Sequence, residues 1–346
     1  MTGSHFDRQT ERIAWIDIAK GIAILLVILG HTVDNATFGN AVIRGVIFSF
    51  HMPLFFILSC TTFKLSTDSN QFVNKAEKAF CHLIIPAIVL YGLRSILKLI
   101  QNFDSIEWKS YLTEQINIFV FGSGVKVNVM GVYVPAIGMP WFLMALFLGR
   151  SLFDYLHLKL KNKQFDMAII ICTLAGVAIG KLQWLPFSFD IALAIMPFFY
   201  FGNYLKTVNM KNRSLQYGSI SLGIWVCTLI LCYFVKQSYM ELACRRYTLF
   251  PICYATAITA TMSIGYFSTI VERLKFMKLF MYLGKNSMYM LWVHIMDYTV
   301  RFIWKITSNN FTNAIIRISV DVVLFVLLMQ IIALVNNKKQ IYKNKP

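Results

Sequence analysis

Runs of about 20 mostly apolar residues recur through this chain, near 13–33, 43–63, 80–100, 139–157, 167–184, 187–206, 216–236, 247–270, 280–304 and 314–336. At about 1.5 Å per residue each run matches the hydrocarbon thickness of a bilayer. Hydrocarbon cannot bond open backbone groups, so only helices and closed barrels span it, and these runs lack the alternation of barrel strands. The expected fold class is all-α, a polytopic membrane protein with about ten transmembrane helices. The balance of residues agrees, since 57% of the 346 are hydrophobic and 14% are charged, against about 25% charged in soluble domains. The chain reads as a segment at 1–12, a transmembrane domain at 13–336 and a basic tail at 337–346, with no soluble catalytic domain appended. The polar interval 101–138 is expected to be a loop with a short amphipathic piece at 111–121. The first run is too long, and lacks the small-residue pattern, for a cleavable signal.

Lysine and arginine in the loops set the orientation. With the amino terminus inside, Lys75, Lys78, Lys159, Lys161, Lys163, Lys206, Lys211, Arg213, Arg273, Lys275, Lys278 and the basic tail all fall on the cytoplasmic side. Both termini are then expected to be cytoplasmic. The net charge of +17 is read as a topology signal and an attraction to anionic lipid headgroups, not as a nucleic-acid footprint. The cysteines show no paired spacing, so they read as small apolar packers with neither metal site nor disulfide framework.

Against this apolar background, ionisable residues inside the runs stand out, because a charge at the bilayer centre costs at least about 2.5 kcal/mol. WIDIAKGIAILLVILGH, residues 15–31, places Asp17, Lys20 and His31 on one helix face, with about 16 Å between Lys20 and His31 at about 1.5 Å per residue. His31 lies deep and titrates near neutrality, so it suits proton transfer. Asp17 and Lys20 have a blander reading as an interfacial pair with Lys20 snorkelling outward. In the second run His51 stands two residues before Pro53, where a kink would open a cavity. The short connection makes the first two runs antiparallel neighbours, which lets His31 and His51 approach. Arg94 is expected to point inward or snorkel, Trp141 to belong to an interfacial belt, and Arg245 with Arg246 to touch an anionic lipid. His294 and Asp297 share a face and read as bonded to one another or as lining a cavity. Asp321 has no role beyond partnering a neighbouring helix.

WIDIAKGIAILLVILGH followed by SFHMPLFFILS resembles the amino-terminal signature of the acyltransferase-3 family of membrane O-acyltransferases, in the branch similar to fucose 4-O-acetylases. The likeness continues in PWFLMALFLG (140–149), SFDIALAIMPFFYFGNYL (188–205) and LGKNSMYMLWVH (283–294). The resemblance implies a ten-helix fold, an acyl-CoA donor on the cytoplasmic side and a glycan or lipid-linked sugar acceptor. By position, His31 matches the family's essential histidine, and Lys20 takes a place commonly held by arginine, keeping the charge but losing the bidentate fork. Where paired arginines are usual, this chain has Lys75, Lys78 and His82 before Pro86. Ser59-Cys60 replaces a serine-glycine pair.

The expected activity is O-acyl transfer, with acetyl as the expected group and succinyl as the alternative. His31, His51 and Asp17 are the catalytic candidates, with His51 assigned to oxyanion donation. Lys20, Lys75 and Lys78 are the candidates for the donor's phosphates. Trp141, Asp190, Asn286, Ser287 and His294 are the candidates on the acceptor side. No tightly bound cofactor is expected beyond acetyl-CoA as donor substrate. Expected partners are the acyl-CoA, a glycan or lipid-linked sugar, membrane lipids and glycan-assembly proteins, in a bacterial cytoplasmic membrane. Direct attack and a covalent acyl-histidine both remain open. The rivals are a proton-coupled transporter, against which the lack of internal symmetry counts, and an accessory module of a larger enzyme.

Overall fold

The computed structural model describes residues 13–33, 38–101, 107–129, 131–236, 239–299, 306–307 and 309–343. The expected segment 1–12 and the last residues of the tail, 344–346, lie outside the described residues. In chain order the helices are α1 (Ala14–Thr32), α2 (Phe38–Phe48), α3 (His51–Thr61), α4 (Ser69–Ala79), α5 (Ile85–Gln101) and α6 (Trp108–Phe121). After a small hairpin come α7 (Trp141–Lys159), α8 (Lys163–Leu182), α9 (Phe189–Ala194), α10 (Met196–Leu205) and α11 (Ser214–Lys236). The last are α12 (Ile252–Val271), α13 (Met277–Lys285), α14 (Ser287–Thr299) and α15 (Asn310–Lys343).

Six helical stretches among the described residues are long and apolar enough to cross a membrane: Ala14–Thr32, Gly39–Thr61, Ser69–Leu97, Lys163–Leu182, Ser214–Lys236 and Phe311–Asn336. The other expected runs are helical too, but polar or interrupted. α7 carries Arg150, Asp154 and Lys159, and α12 is rich in serine and threonine. The run at 187–206 breaks at Ile195 between α9 and α10, and the run at 280–304 breaks at Asn286 between α13 and α14. Among the described residues the fold departs from all-α at the hairpin of β1 (Val127–Val129) and β2 (Val132–Val134), where Val127 pairs with Val134, and at an isolated antiparallel bridge between Glu241 and Arg246. The amphipathic piece expected in that interval is α6.

Apart from Asp17, Lys20 and His31, α1 is apolar, as a helix enclosed by other helices must largely be. It packs against α3, α12, α13, α14 and α15, and Ile18, Ala23 and Ile28 are fully buried. Its seam with α13 is backbone on backbone. A Cβ at Gly21 would run into the Phe280 carbonyl, and one at Gly284 into the Asp17 carbonyl, so small residues set this interhelical distance. α11 and α15 lie at the periphery and show apolar side chains outward, with Ile230, Phe234, Val323 and Leu334 all exposed. An outward apolar surface of this kind suits lipid.

The second run is interrupted rather than kinked at its proline. The helix stops at Phe48 and restarts at His51 with Phe50 as N-cap, which places Pro53 in the first turn of α3. There the missing proline N–H costs no helical hydrogen bond. α4 passes through one π-helical turn, Phe80–Ile84, into α5, just before Pro86. Wide turns of this kind recur where a helix must present side chains to a site.

Candidate active site

Among the helices that wall a cavity of about 520 Å³ are α1, with Lys20 and His31, α3, with His51 and Ser59, and α7, with Trp141 and Arg150. The helices order these residues into two layers. Lys20 to His31 is about 16 Å, His51 to Ser59 about 12 Å and Trp141 to Arg150 about 14 Å, at about 1.5 Å per residue. α1 runs from the cationic level to the imidazole level, and α3 and α7 return. One layer is therefore His31, His51 and Trp141; the other is Lys20, Ser59 and Arg150.

The helix break builds the imidazole layer. The Ile47 carbonyl accepts from the Phe50 N–H and also lies 2.9 Å from Nδ1 of His51. A carbonyl only accepts, so Nδ1 carries the proton and neutral His51 presents Nε2 as an acceptor. In that neutral form His51 suits an acceptor role, whereas the expected oxyanion-donor role needs the ring protonated at Nε2. Phe48 stands between the two histidines, its ring 5.6 Å from His31 and 4.7 Å from His51. Gly30 leaves the room for that ring. Arg44 stacks on Phe48 at 4.2 Å, donates to the Gly30 carbonyl at 3.0 Å and approaches Glu241, another wall residue, at 3.9 Å.

His294 does not line the cavity. It is fully buried behind His31, ring centroids 6.0 Å apart, with Nδ1 2.8 Å from Asp321. Both members of the expected His294–Asp297 pair reach across to α15, His294 to Asp321 and Asp297 to Arg317. Asp321 does partner a neighbouring helix. Single ligand atoms of His294, Asp297 and Asp321 fall within 4.8 Å of one another, but the Arg317 guanidinium already supplies positive charge at that point.

At the other layer, Cys81 and His82 of the π turn join the wall. Lys75 is turned away, its Nζ donating to the Lys64 carbonyl at 2.9 Å, and Lys78 is exposed on α4. Neither lines the cavity. Asp17 is also outside it, its backbone packed on Gly284.

Asp190 belongs to a structural clasp rather than to the acceptor side of the cavity. It is fully buried and takes Arg245 bidentately, Nε to Oδ2 at 2.7 Å and Nη2 to Oδ1 at 3.2 Å. Trp184 stacks on the guanidinium at 3.8 Å. Arg245 is therefore buried, not offered to lipid, while Arg246 is exposed beside Glu241. The clasp fixes the segment that contributes Glu241, Leu242 and Ala243 to the wall. Asn286 caps α13 through the Tyr282 carbonyl, and its neighbour Ser287 lines the cavity. Arg94 points inward to the Ile137 carbonyl.

Nothing in the sequence assigned Arg150 or Glu241 to the cavity wall, or named His294 as the partner of Asp321. An arginine inside an apolar run was the available signal for the first. The other two depend on residues far apart in the chain.

The family model described as "Acyltransferase domain", acyltransferase-3, matches residues 13–335. No curated protein and no solved structure matches the chain.

Proposed function

We propose, from the premise that this chain belongs to the acyltransferase-3 family and is a membrane acyltransferase, that it moves an acetyl group from cytoplasmic acetyl-CoA to a hydroxyl of a cell-surface or lipid-linked glycan. In this reading the chain crosses the bacterial cytoplasmic membrane ten times with both termini inside, and the Lys20 layer faces the cytoplasm. The observation that carries it is the two-layer cavity: a cationic level and an imidazole level on one continuous wall. Their separation of about 16 Å along α1 is comparable with a pantetheine arm. The family does not favour the transporter reading.

A phosphate of the donor rests near Lys20, and the thioester reaches the imidazoles. His31 takes the proton of the acceptor hydroxyl as its oxygen bonds the thioester carbon. The tetrahedral species collapses, the C–S bond breaks, and the CoA thiolate recovers the proton. His51, with Nε2 as acceptor, shares the base role or orients the hydroxyl. Trp141 and Ser287 meet the sugar. The thioester is already activated, so positioned bases suffice. Acetyl over succinyl, and the branch similar to fucose 4-O-acetylases, follow from the resemblance of the motifs at 15–31 and 49–59.

His31→Ala is expected to abolish acyl transfer while the protein still inserts. Mass spectrometry of surface glycans from cells with wild-type protein, the variant or neither reads both the acyl group and the sugar. Identical glycans in the wild-type and protein-free cells would remove the proposal.

A further inference from the structure

Arg150 is partly buried in the cavity wall, and among the described residues it makes no hydrogen bond or ion pair. Its one ring contact is with Phe63, 4.9 Å below the guanidinium. The charged groups around it are committed elsewhere. Asp154, one turn along α7 and buried, accepts from the backbone N–H and the hydroxyl of Ser66, both at 2.7 Å. Lys206 donates to the Phe63 carbonyl at 2.6 Å and to Asn203 at 2.8 Å, and Lys75 donates to the Lys64 carbonyl. These contacts hold the segment 62–68, and that segment holds Phe63 beneath Arg150. The result is a guanidinium braced by an aromatic ring, open to the cavity and without a carboxylate partner. A half-desolvated cation in this state is stabilised by an anionic ligand, and a planar fork of N–H donors matches a phosphate.

We infer that Arg150, together with Lys20, forms the subsite that takes a phosphate group of the CoA donor. This rests on the acyltransferase reading above. It supplies the fork that lysine at position 20 lacks.

Equilibrium binding to the purified full-length protein tests it, with coenzyme A, 3′-dephospho-CoA and phosphate-free pantetheine as probes. Arg150→Gln is expected to weaken coenzyme A by about 10–100-fold, the loss expected for a charge-assisted hydrogen bond, and to leave pantetheine unchanged. Arg150→Lys keeps the stem and the charge and is expected to lose only several-fold, which keeps the test open where the glutamine variant fails to fold. An equal penalty for coenzyme A and its dephospho form assigns the pyrophosphate; a penalty confined to coenzyme A assigns the 3′-phosphate. Unchanged coenzyme A affinity in both variants, or equal losses for coenzyme A and pantetheine, would overturn the assignment of Arg150 alone. Wild-type protein that binds no coenzyme A would overturn the donor reading and this inference with it.

Discussion

Asp321 has one carboxylate oxygen on the His294 imidazole, while the other, Oδ1, is buried and meets no hydrogen-bond partner among the described residues. Leaving a buried acceptor unmet costs about 1–3 kcal/mol, and such groups call for an explanation in what they hold. What Asp321 holds is the ring behind His31. Asp321→Asn presents either an amide N–H or a weaker acceptor to Nδ1 and disturbs the tautomer of His294. Acting through His31, the change is expected to lower turnover by about 10–100-fold, the size of effect that follows from losing a hydrogen bond to a charged group. The affinity for acetyl-CoA should stay the same. Measuring turnover and KM together separates this positioning role from a merely structural one, which would reduce folded protein without changing the turnover of what remains. Asp321 was legible as the partner of a neighbouring helix, but not which residue it meets, because His294 lies 27 residues away. His31 was legible because an imidazole in an apolar run is expensive on its own account.

At the scale of helices, the close seams and the clasp make the sharpest predictions. Gly284→Ala forces α13 away from the α1 backbone and is expected to cost about 1–3 kcal/mol, as overpacking does. Gly223→Ala on α11 meets nothing within 4 Å, so the gain in helix propensity makes it neutral or stabilising by up to about 1 kcal/mol. Thermal unfolding in detergent should show opposite signs for one added methyl group. Arg245→Ala leaves Asp190 buried without its guanidinium and is expected to cost about 3–5 kcal/mol, whereas replacing both members by apolar residues should cost less. A double-mutant cycle on unfolding reads the difference. The helices themselves were legible, because lipid dictates their length and composition. Their interruptions were not. The stops at Ser49–Phe50, Ile195 and Asn286 are places where neighbouring elements and side chains satisfy the freed backbone, as His51 does for Ile47. Proline at 53 pointed to the right neighbourhood and the wrong geometry.

For the whole molecule, the proposed orientation puts the part of the cavity wall that carries Cys81 and His82 on the cytoplasmic side. Cys81 is exposed and lines the cavity, whereas Cys60 and Cys253 are buried. A membrane-impermeant maleimide should therefore label Cys81 in inverted vesicles and not in intact cells, with Cys81→Ser as the control. Coenzyme A should slow the labelling. Labelling from the outside would reverse the topology that the loop lysines imply.

The two layers on α1, α3 and α7 act as a fixed ruler, since a helix does not change its rise to suit a ligand. On the proposed function, a nucleotide held at one graduation can deliver only its thioester end to the other. The carrier then never leaves the compartment that makes it, and a surface sugar is decorated with neither an exported cofactor nor an ion gradient to drive one.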